Sequence, residues 1–182
     1  MKSLILIGYR ATGKTTVAAK LAEHLGIPAF DSDVEIERQA GKSIAKIFAK
    51  DGESAFRDLE ESVITEILTG ESSTALPLIL ATGGGAILRS NTRARLRRSG
   101  RVIWLTATPE IILQRITSDS ASTTMRPNLT SLPLYEEIVA TLKQRKLLYA
   151  ETAHEIIDTD CQTVAEIVKT ILHNRATSEP DA

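Results

Sequence analysis

At 182 residues the chain has the length of one domain, long enough to enclose a full hydrophobic core. Its 42% hydrophobic and 25% charged residues are those of an ordinary globular protein, and a net charge of −1 gives no electrostatic footprint for nucleic acid or an anionic membrane. The single cysteine, Cys161, excludes an internal disulfide and a thiolate metal site, and reads as a small packed residue. No signal peptide and no stretch of membrane-spanning length are visible, so the cytoplasm is the expected compartment.

The first predicted element is a strand over residues 4–7, Leu-Ile-Leu-Ile. It runs into Gly8-Tyr9-Arg10-Ala11-Thr12-Gly13-Lys14-Thr15, which fits G-x-x-x-x-G-K-[ST], and then into a helical pattern over residues 14–25. That strand–loop–helix context separates a working phosphate loop from a chance match. The glycines allow backbone N–H groups to turn toward phosphates, and the helix N-terminus adds a field that favours an anion. Lys14 can reach the β- and γ-phosphates, and the Thr15 hydroxyl can ligate Mg²⁺. The segment is therefore expected to bind a nucleoside triphosphate.

A second strand, over residues 27–30, delivers Asp31-Ser32-Asp33 to a helix start near Val34. Ser32 with Glu35 reads as a capping box, which leaves the two aspartates for chemistry. In a parallel sheet this loop leaves at the same carboxyl edge as the phosphate loop, so one carboxylate can face Mg²⁺ and the other can orient a hydroxyl or accept its proton. The alternative is that both merely cap the helix.

Residues 51–69 carry a helical stripe of Phe56, Leu59, Val63, Ile67 and Leu68. On that helix Arg57 has Glu60 and Glu61 at i+3 and i+4, so a surface ion pair and a functional role are equally open. The third strand, residues 78–81, ends in Thr82-Gly83-Gly84-Gly85. Three glycines are tolerable where backbone approaches a ligand or adopts φ > 0, and their N–H groups could hold substrate oxygens. The basic series Arg89, Arg93, Arg95, Arg97 and Arg98 lacks interleaved aromatics and reads as a solvated helix face.

The fourth strand spans residues 102–105, and Thr108-Pro109-Glu110 opens the next helix. Residues 117–133 fit neither period, which beside a phosphate loop suggests a mobile lid, with Arg126 placed to close over a transferring phosphoryl group. In the helix over residues 134–151, Ile138, Leu142, Arg145 and Tyr149 share a face. An arginine in an inward stripe needs an anionic partner, either a buried acid or a substrate carboxylate. A fifth strand at residues 155–157 and a helix capped by Thr163 and Glu166 complete a single domain over residues 1–175, followed by a loose tail over 176–182. Strands alternating with helices predict an α/β fold with a parallel sheet.

The third and fourth strands run into Thr82 and Thr106, so neither supplies the aspartate a switch or motor NTPase uses for its metal, and neither N-K-x-D nor D-x-x-G is present. A small-molecule kinase remains the better reading. The chain resembles the shikimate kinase family through G-Y-R-A-T-G-K-T-T at 8–16, F-D-S-D at 30–33, G-K-S-I-A-K-I-F at 41–48, D-G-E-S-A-F-R at 51–57, A-T-G-G-G at 81–85, R-P at 126–127 and Q-R-K-L-L-Y at 144–149. The resemblance implies a P-loop NTPase fold of the nucleoside-monophosphate-kinase type, with a five-stranded parallel sheet flanked by helices and a mobile lid. It implies transfer of the ATP γ-phosphoryl group to the 3-hydroxyl of shikimate, giving shikimate 3-phosphate and ADP on the way to chorismate and the aromatic amino acids.

By the same resemblance Ala11, Thr12, Gly13, Lys14, Thr15 and Thr16 line the ATP phosphates. Thr15 binds Mg²⁺ with Asp31 in its outer shell. Asp33 engages the shikimate hydroxyls and helps activate the attacking one. Arg57 and Arg145 hold the carboxylate, Gly84 contacts substrate through its backbone, Arg126 is the lid arginine on ATP, and Arg115 neighbours the adenine. Asp33, Lys14 and Arg126 are the expected catalytic groups, and a monomer is expected. Ala11 departs from the family's usual glycine, segment 117–125 is longer than usual, and Asn128 replaces a common leucine. The competing readings are a gluconate-kinase-like phosphotransferase and a non-catalytic nucleotide-binding protein.

Overall fold

The computed structural model describes residues 2–70, 77–118 and 133–178. Five strands, β1 (Ser3–Ile7), β2 (Ala29–Asp31), β3 (Ile79–Ala81), β4 (Gly100–Thr106) and β5 (Glu155–Asp158), form one sheet in the order β2-β3-β1-β4-β5. Every pairing is parallel: Leu4 lies opposite Ile79 and Arg101, and Trp104 opposite Ile156. The helices are α1 (Lys14–Leu25), α2 (Ser32–Ala40), α3 (Ile44–Thr69), α4 (Ser90–Ser99), α5 (Pro109–Ser118), α6 (Leu134–Thr152) and α7 (Val164–Ser178). α5 enters the segment expected as a lid by two residues, and α7 continues through three residues expected as tail.

The central strands are apolar throughout because helices cover both faces. Alternate side chains divide between them. Ile5, Ile7, Leu80 and Trp104 meet Ile36 of α2, Phe56 and Val63 of α3, Leu96 of α4 and Tyr149 of α6. Leu4, Leu6, Ile79 and Leu105 meet Val17 and Leu21 of α1 and Ile167 and Ile171 of α7. A third cluster joins Tyr9 of the phosphate loop to Ile112 and Ile116 of α5 and Ile138 of α6.

α3 begins earlier than the hydrophobic stripe suggests, at an N-cap on Ser43, and breaks at Gly52, where φ is 83°. The left-handed conformation there is one that glycine adopts without penalty. The second half of α3 is thereby redirected, and it carries Arg57 and Glu60 to the carboxyl edge of the sheet. The loops that follow β1, β2 and β3 emerge at that same edge.

Candidate active site

The phosphate loop is held mainly by its own groups. Lys14 is buried, and its Nζ donates to the carbonyls of Gly8 at 2.9 Å and Tyr9 at 2.7 Å. Thr12 Oγ1 donates to the Tyr9 carbonyl at 2.9 Å. Gly8 tolerates no side chain, because a Cβ there would collide with the Leu105 carbonyl of β4. Gly13 is left-handed at φ 88°, and so is Ala11 at φ 61°, the one non-glycine residue with positive φ among the described residues. A side chain in that region costs about 1–2 kcal/mol. The Ala11 methyl packs on the Tyr9–Ile112–Ile116–Ile138 cluster, which partly offsets the strain.

The cap of α2 differs from expectation. Asp31, not Ser32, is the N-cap, and its Oδ1 accepts from the Asp33 N–H at 2.9 Å. Ser32 is already helical and fully buried, and its Oγ accepts from the Gly83 N–H at 2.9 Å. Glu35 pairs with Arg38 rather than with a capping residue, and that hydrogen bond holds its carboxyl below the usual range. Asp31 nonetheless keeps a second task, because its Oδ2 accepts from Thr15 Oγ1 at 2.6 Å. One carboxylate thus joins the α2 N-terminus to the first turn of α1.

A cleft of about 460 Å³ opens beside this loop, walled by Tyr9 and Arg10, by Asp33, by Phe48, Phe56, Arg57 and Glu60 of α3, by Gly83–Gly85 and by Thr141 and Arg145 of α6. Asp33, Arg57, Gly84 and Arg145 therefore come together as predicted. The glycines are not required by φ, since none of the three is left-handed. Space favours glycine at two of them, with the side chains of the site as placed. A Cβ at Gly83 would strike Asp33 Oδ1 and lie 2.9 Å from Glu60 Oε1, and one at Gly85 would lie 2.5 Å from the Arg57 guanidinium. The N–H of Gly83 is committed to Ser32 rather than offered to a ligand.

Arg57 is a cleft residue rather than a surface one. Its Nη1 donates to Glu60 at 2.5 Å, its Nη2 to Glu53 at 3.4 Å, and its Nε is buried without an acceptor. Glu61, the other expected partner, pairs with Arg89 instead. Glu60 is 3% exposed, and burial pushes its carboxyl up while the Arg57 charge pulls it down.

Arg145 donates from Nη1 to the Gly84 carbonyl at 3.2 Å, and its Nε too is buried without an acceptor. Tyr149 Oη donates to the same carbonyl at 2.5 Å, with its ring stacked on Trp104 at 5.3 Å. Burial pushes the Tyr149 hydroxyl well above its ordinary pKa. Sequence reasoning missed Glu60 and Arg10 as parts of this wall, and Glu137 and Tyr149 as partners of the groups in it. Phe56, Glu60, Ile64 and Leu68 lie four residues apart, and that spacing was the available signal for a buried glutamate.

Arg115 of α5 donates to the Ala11 carbonyl at 3.3 Å and to Thr159 Oγ1 at 3.0 Å, with a further bond of 2.6 Å to the Thr159 carbonyl. It braces the phosphate loop against the segment after β5. Arg126 and Asn128 lie outside the described residues. Cys161 is exposed rather than packed. The arginines at α4 are more than a solvated face: Arg97 donates to the carbonyls of Glu151, Thr152 and Ala153 at the end of α6, Arg93 to those of Ile87 and Leu88, and Arg89 pairs with Asp58 and Glu61. These bonds satisfy carbonyls that a helix end and a turn leave open.

The Thr15–Asp31 pair fits Mg²⁺, a hard cation that takes one or two protein oxygens and completes its shell with nucleotide phosphates and water. Among the described residues no group of three or more metal-ligating side chains forms a closed cage, as that mode of binding requires none. No described helix is long and apolar enough to cross a membrane.

The family model for shikimate kinase matches residues 10–175. A shikimate kinase of Paracidovorax citrulli is 41% identical over 170 residues, covering 93% of this chain and 89% of the relative. One from Rhodopirellula baltica is 38% identical over 169 residues, covering 93% and 88%. The structure of shikimate kinase from Acinetobacter baumannii in complex with shikimate superposes with a TM-score of 0.89 at 35% identity, covering all of this chain and 96% of the other. The phosphate loop, the cleft beside it and these likenesses agree: the chain belongs to the shikimate kinase family, and is a kinase that transfers the γ-phosphoryl group of ATP to shikimate.

Proposed function

We propose that the cleft holds shikimate with its carboxylate against Arg57 and Arg145 and its 3-hydroxyl turned toward Asp33 and the phosphate loop. The observation that carries this reading is the pair of arginines, Arg57 and Arg145, that line one cleft with Asp33 and the glycine loop. Two guanidinium groups converging on one cleft favour an anion there, and a carboxylate can accept charge-assisted hydrogen bonds from both. Glu60 fixes the Arg57 guanidinium, and the Gly84 carbonyl fixes that of Arg145, so both are ordered before a ligand arrives.

Asp33 orients the attacking hydroxyl and accepts its proton as the oxygen meets the γ-phosphorus. Lys14 and the N–H groups of residues 11–16 neutralise the phosphate oxygens, and Arg126 closes over the group in transfer. A Mg²⁺ ion carried with the nucleotide would be held by Thr15, with Asp31 in the outer shell, and would offset charge on the phosphate oxygens. In-line phosphoryl transfer asks for little beyond positioning and charge neutralisation, which these residues supply. Arg115, beside Ala11 and Thr159, borders the place for the adenine. We further propose that the enzyme works as a cytoplasmic monomer on free small molecules.

A coupled ADP-release assay with ATP·Mg²⁺ tests the substrate. Release is expected with shikimate and not with gluconate, nucleoside monophosphates or shikimate methyl ester. Comparable release with the ester would overturn the carboxylate clamp.

A further inference from the structure

α6 presents an unusual stripe. Glu137, Thr141, Arg145 and Tyr149 are each four residues apart, and all are buried. Four-residue spacing aligns side chains on one helix face, which is ordinarily apolar where it packs inward. Here the stripe is polar and is fastened at both ends to loops of the reaction site. At its far end Arg145 and Tyr149 hold the Gly84 carbonyl. At its near end Glu137, with no exposed surface, accepts from Arg10 Nη2 at 3.1 Å. Arg10 is a phosphate-loop residue whose own side chain walls the cleft.

The two loops that the stripe fastens also touch each other. A Cβ at Gly84 would stand 3.4 Å from the Gly8 carbonyl and 3.5 Å from the Arg10 nitrogen, in ordinary van der Waals contact with the phosphate loop. Phosphate loop, glycine loop and α6 thus form a closed triangle. Neither Arg10 nor Glu137 is required by the phosphate-loop pattern, which leaves position 10 free.

We infer that Arg10 and Glu137 are a positioning pair, a strut through which the nucleotide-holding loop sets the placement of the α6 arginine that receives the substrate carboxylate. The inference rests on the Arg145 clamp proposed above. A charge-assisted bond to a carboxylate without solvent contact resists stretching, because Glu137 finds no water as a substitute and Arg10 is only 13% exposed. Movement of the phosphate loop on binding a nucleotide is therefore passed to Glu137 and along α6 to Arg145. Thermodynamic linkage then requires that nucleotide and shikimate alter each other's affinity by the same factor.

The test is calorimetric titration of shikimate with and without ADP·Mg²⁺, on the wild type, Glu137→Gln and Arg10→Lys. In the wild type ADP is expected to tighten shikimate by at least about fivefold, within the usual range of coupling, and in Glu137→Gln by less than about twofold. Arg10→Lys keeps the charge and restores part of the factor. A purely structural pair would lower thermal stability and leave the factor intact, and that result overturns the inference, as does a wild type without coupling. Should a single variant fail to fold, Arg10→Met/Glu137→Met removes both charges together and gives the same readout. Arg145→Met separates the two readings: unchanged shikimate affinity defeats the clamp itself, whereas a weakened affinity with full coupling in Glu137→Gln defeats the strut alone.

Discussion

Arg145→Met removes a buried guanidinium and leaves a side chain of similar length that can fill the space. The geometry separates its effects on binding and on folding. For binding, Arg145 lines the cleft together with Arg57, and its guanidinium is the group proposed to hold the carboxylate. A hydrogen bond to a charged group contributes about 1.5–3 kcal/mol, which corresponds to a rise of about 10- to 150-fold in the KM for shikimate. For folding, little is lost. The Gly84 carbonyl keeps the Tyr149 hydroxyl at 2.5 Å as donor, and Glu60 keeps Arg57 at 2.5 Å as partner. Removing a desolvated cation whose direct hydrogen bond is to a neutral carbonyl is neutral to stabilising. The melting temperature of the ligand-free protein should therefore hold or rise by a few degrees, at about 2–4 °C per kcal/mol for a domain of this size. The assays are initial-rate kinetics by ADP release, with shikimate varied at saturating ATP, and differential scanning fluorimetry without ligands. A KM within about threefold of wild type, in a protein that melts normally, would refute the clamp; the threshold is set below the lower bound from the lost bond. A melting temperature reduced by more than about 5 °C would show instead that Arg145 is chiefly structural.

Asp33→Asn should lower turnover by at least about 100-fold while ATP affinity, measured by titration, stays near wild type, and persistence of turnover would remove the proton-accepting role. Ala11→Gly relieves a left-handed alanine but adds freedom to the unfolded chain and loses a packed methyl, so urea unfolding should show a net change no larger than about 1 kcal/mol; a loss well beyond that would show that the methyl contact dominates. His154 accepts from the Val102 N–H through Nδ1 at 3.0 Å, and burial, then the charges of Arg97, Lys2 and Arg101, hold its pKa below the ordinary value. The folded state therefore takes up a proton less readily than the unfolded chain. Stability should be full above the unfolded histidine value of about 6.5 and decline as pH falls through it, a slope that His154→Phe flattens; an unchanged slope would assign the effect to other groups.

The central strands were legible because each holds an apolar run ended by glycine or threonine and covered by helices on both faces, whereas the edge strands β2 and β5 are short and partly exposed. β2 starts two residues later and ends one residue later than expected, and Ile27 belongs to the packing beneath α1 rather than to the strand. Ser32 was misread as a cap for a local reason. Serine and aspartate are both good N-caps, and the choice fell to the residue whose neighbour needed a long-range bond, since the Gly83 N–H claims the serine. Glu60 and Glu137 were hidden because a glutamate on a helix is ordinarily solvated. Only tertiary placement shows that each sits beside an arginine of the cleft. Cys161 was read from composition as packed, yet it follows β5 in an exposed turn, where neighbouring side chains and not residue type decide burial.

The cleft also explains two of the three glycines that follow β3, Gly83 and Gly85. Left-handed backbone would have been reason enough, but none of the three adopts it. Asp33, Glu60 and Arg57 occupy the volumes where side chains at Gly83 and Gly85 would lie. A guanidinium and two carboxylates can therefore approach one another across bare backbone, close enough for Arg57 to offset part of the burial of Glu60, whose carboxyl still stays above its ordinary range. Charge pairing at such separations is what permits ionised groups to remain inside a protein. The glycine loop and the charges are thus one packed unit, in which the backbone's lack of side chains is the condition for the substrate-facing chemistry.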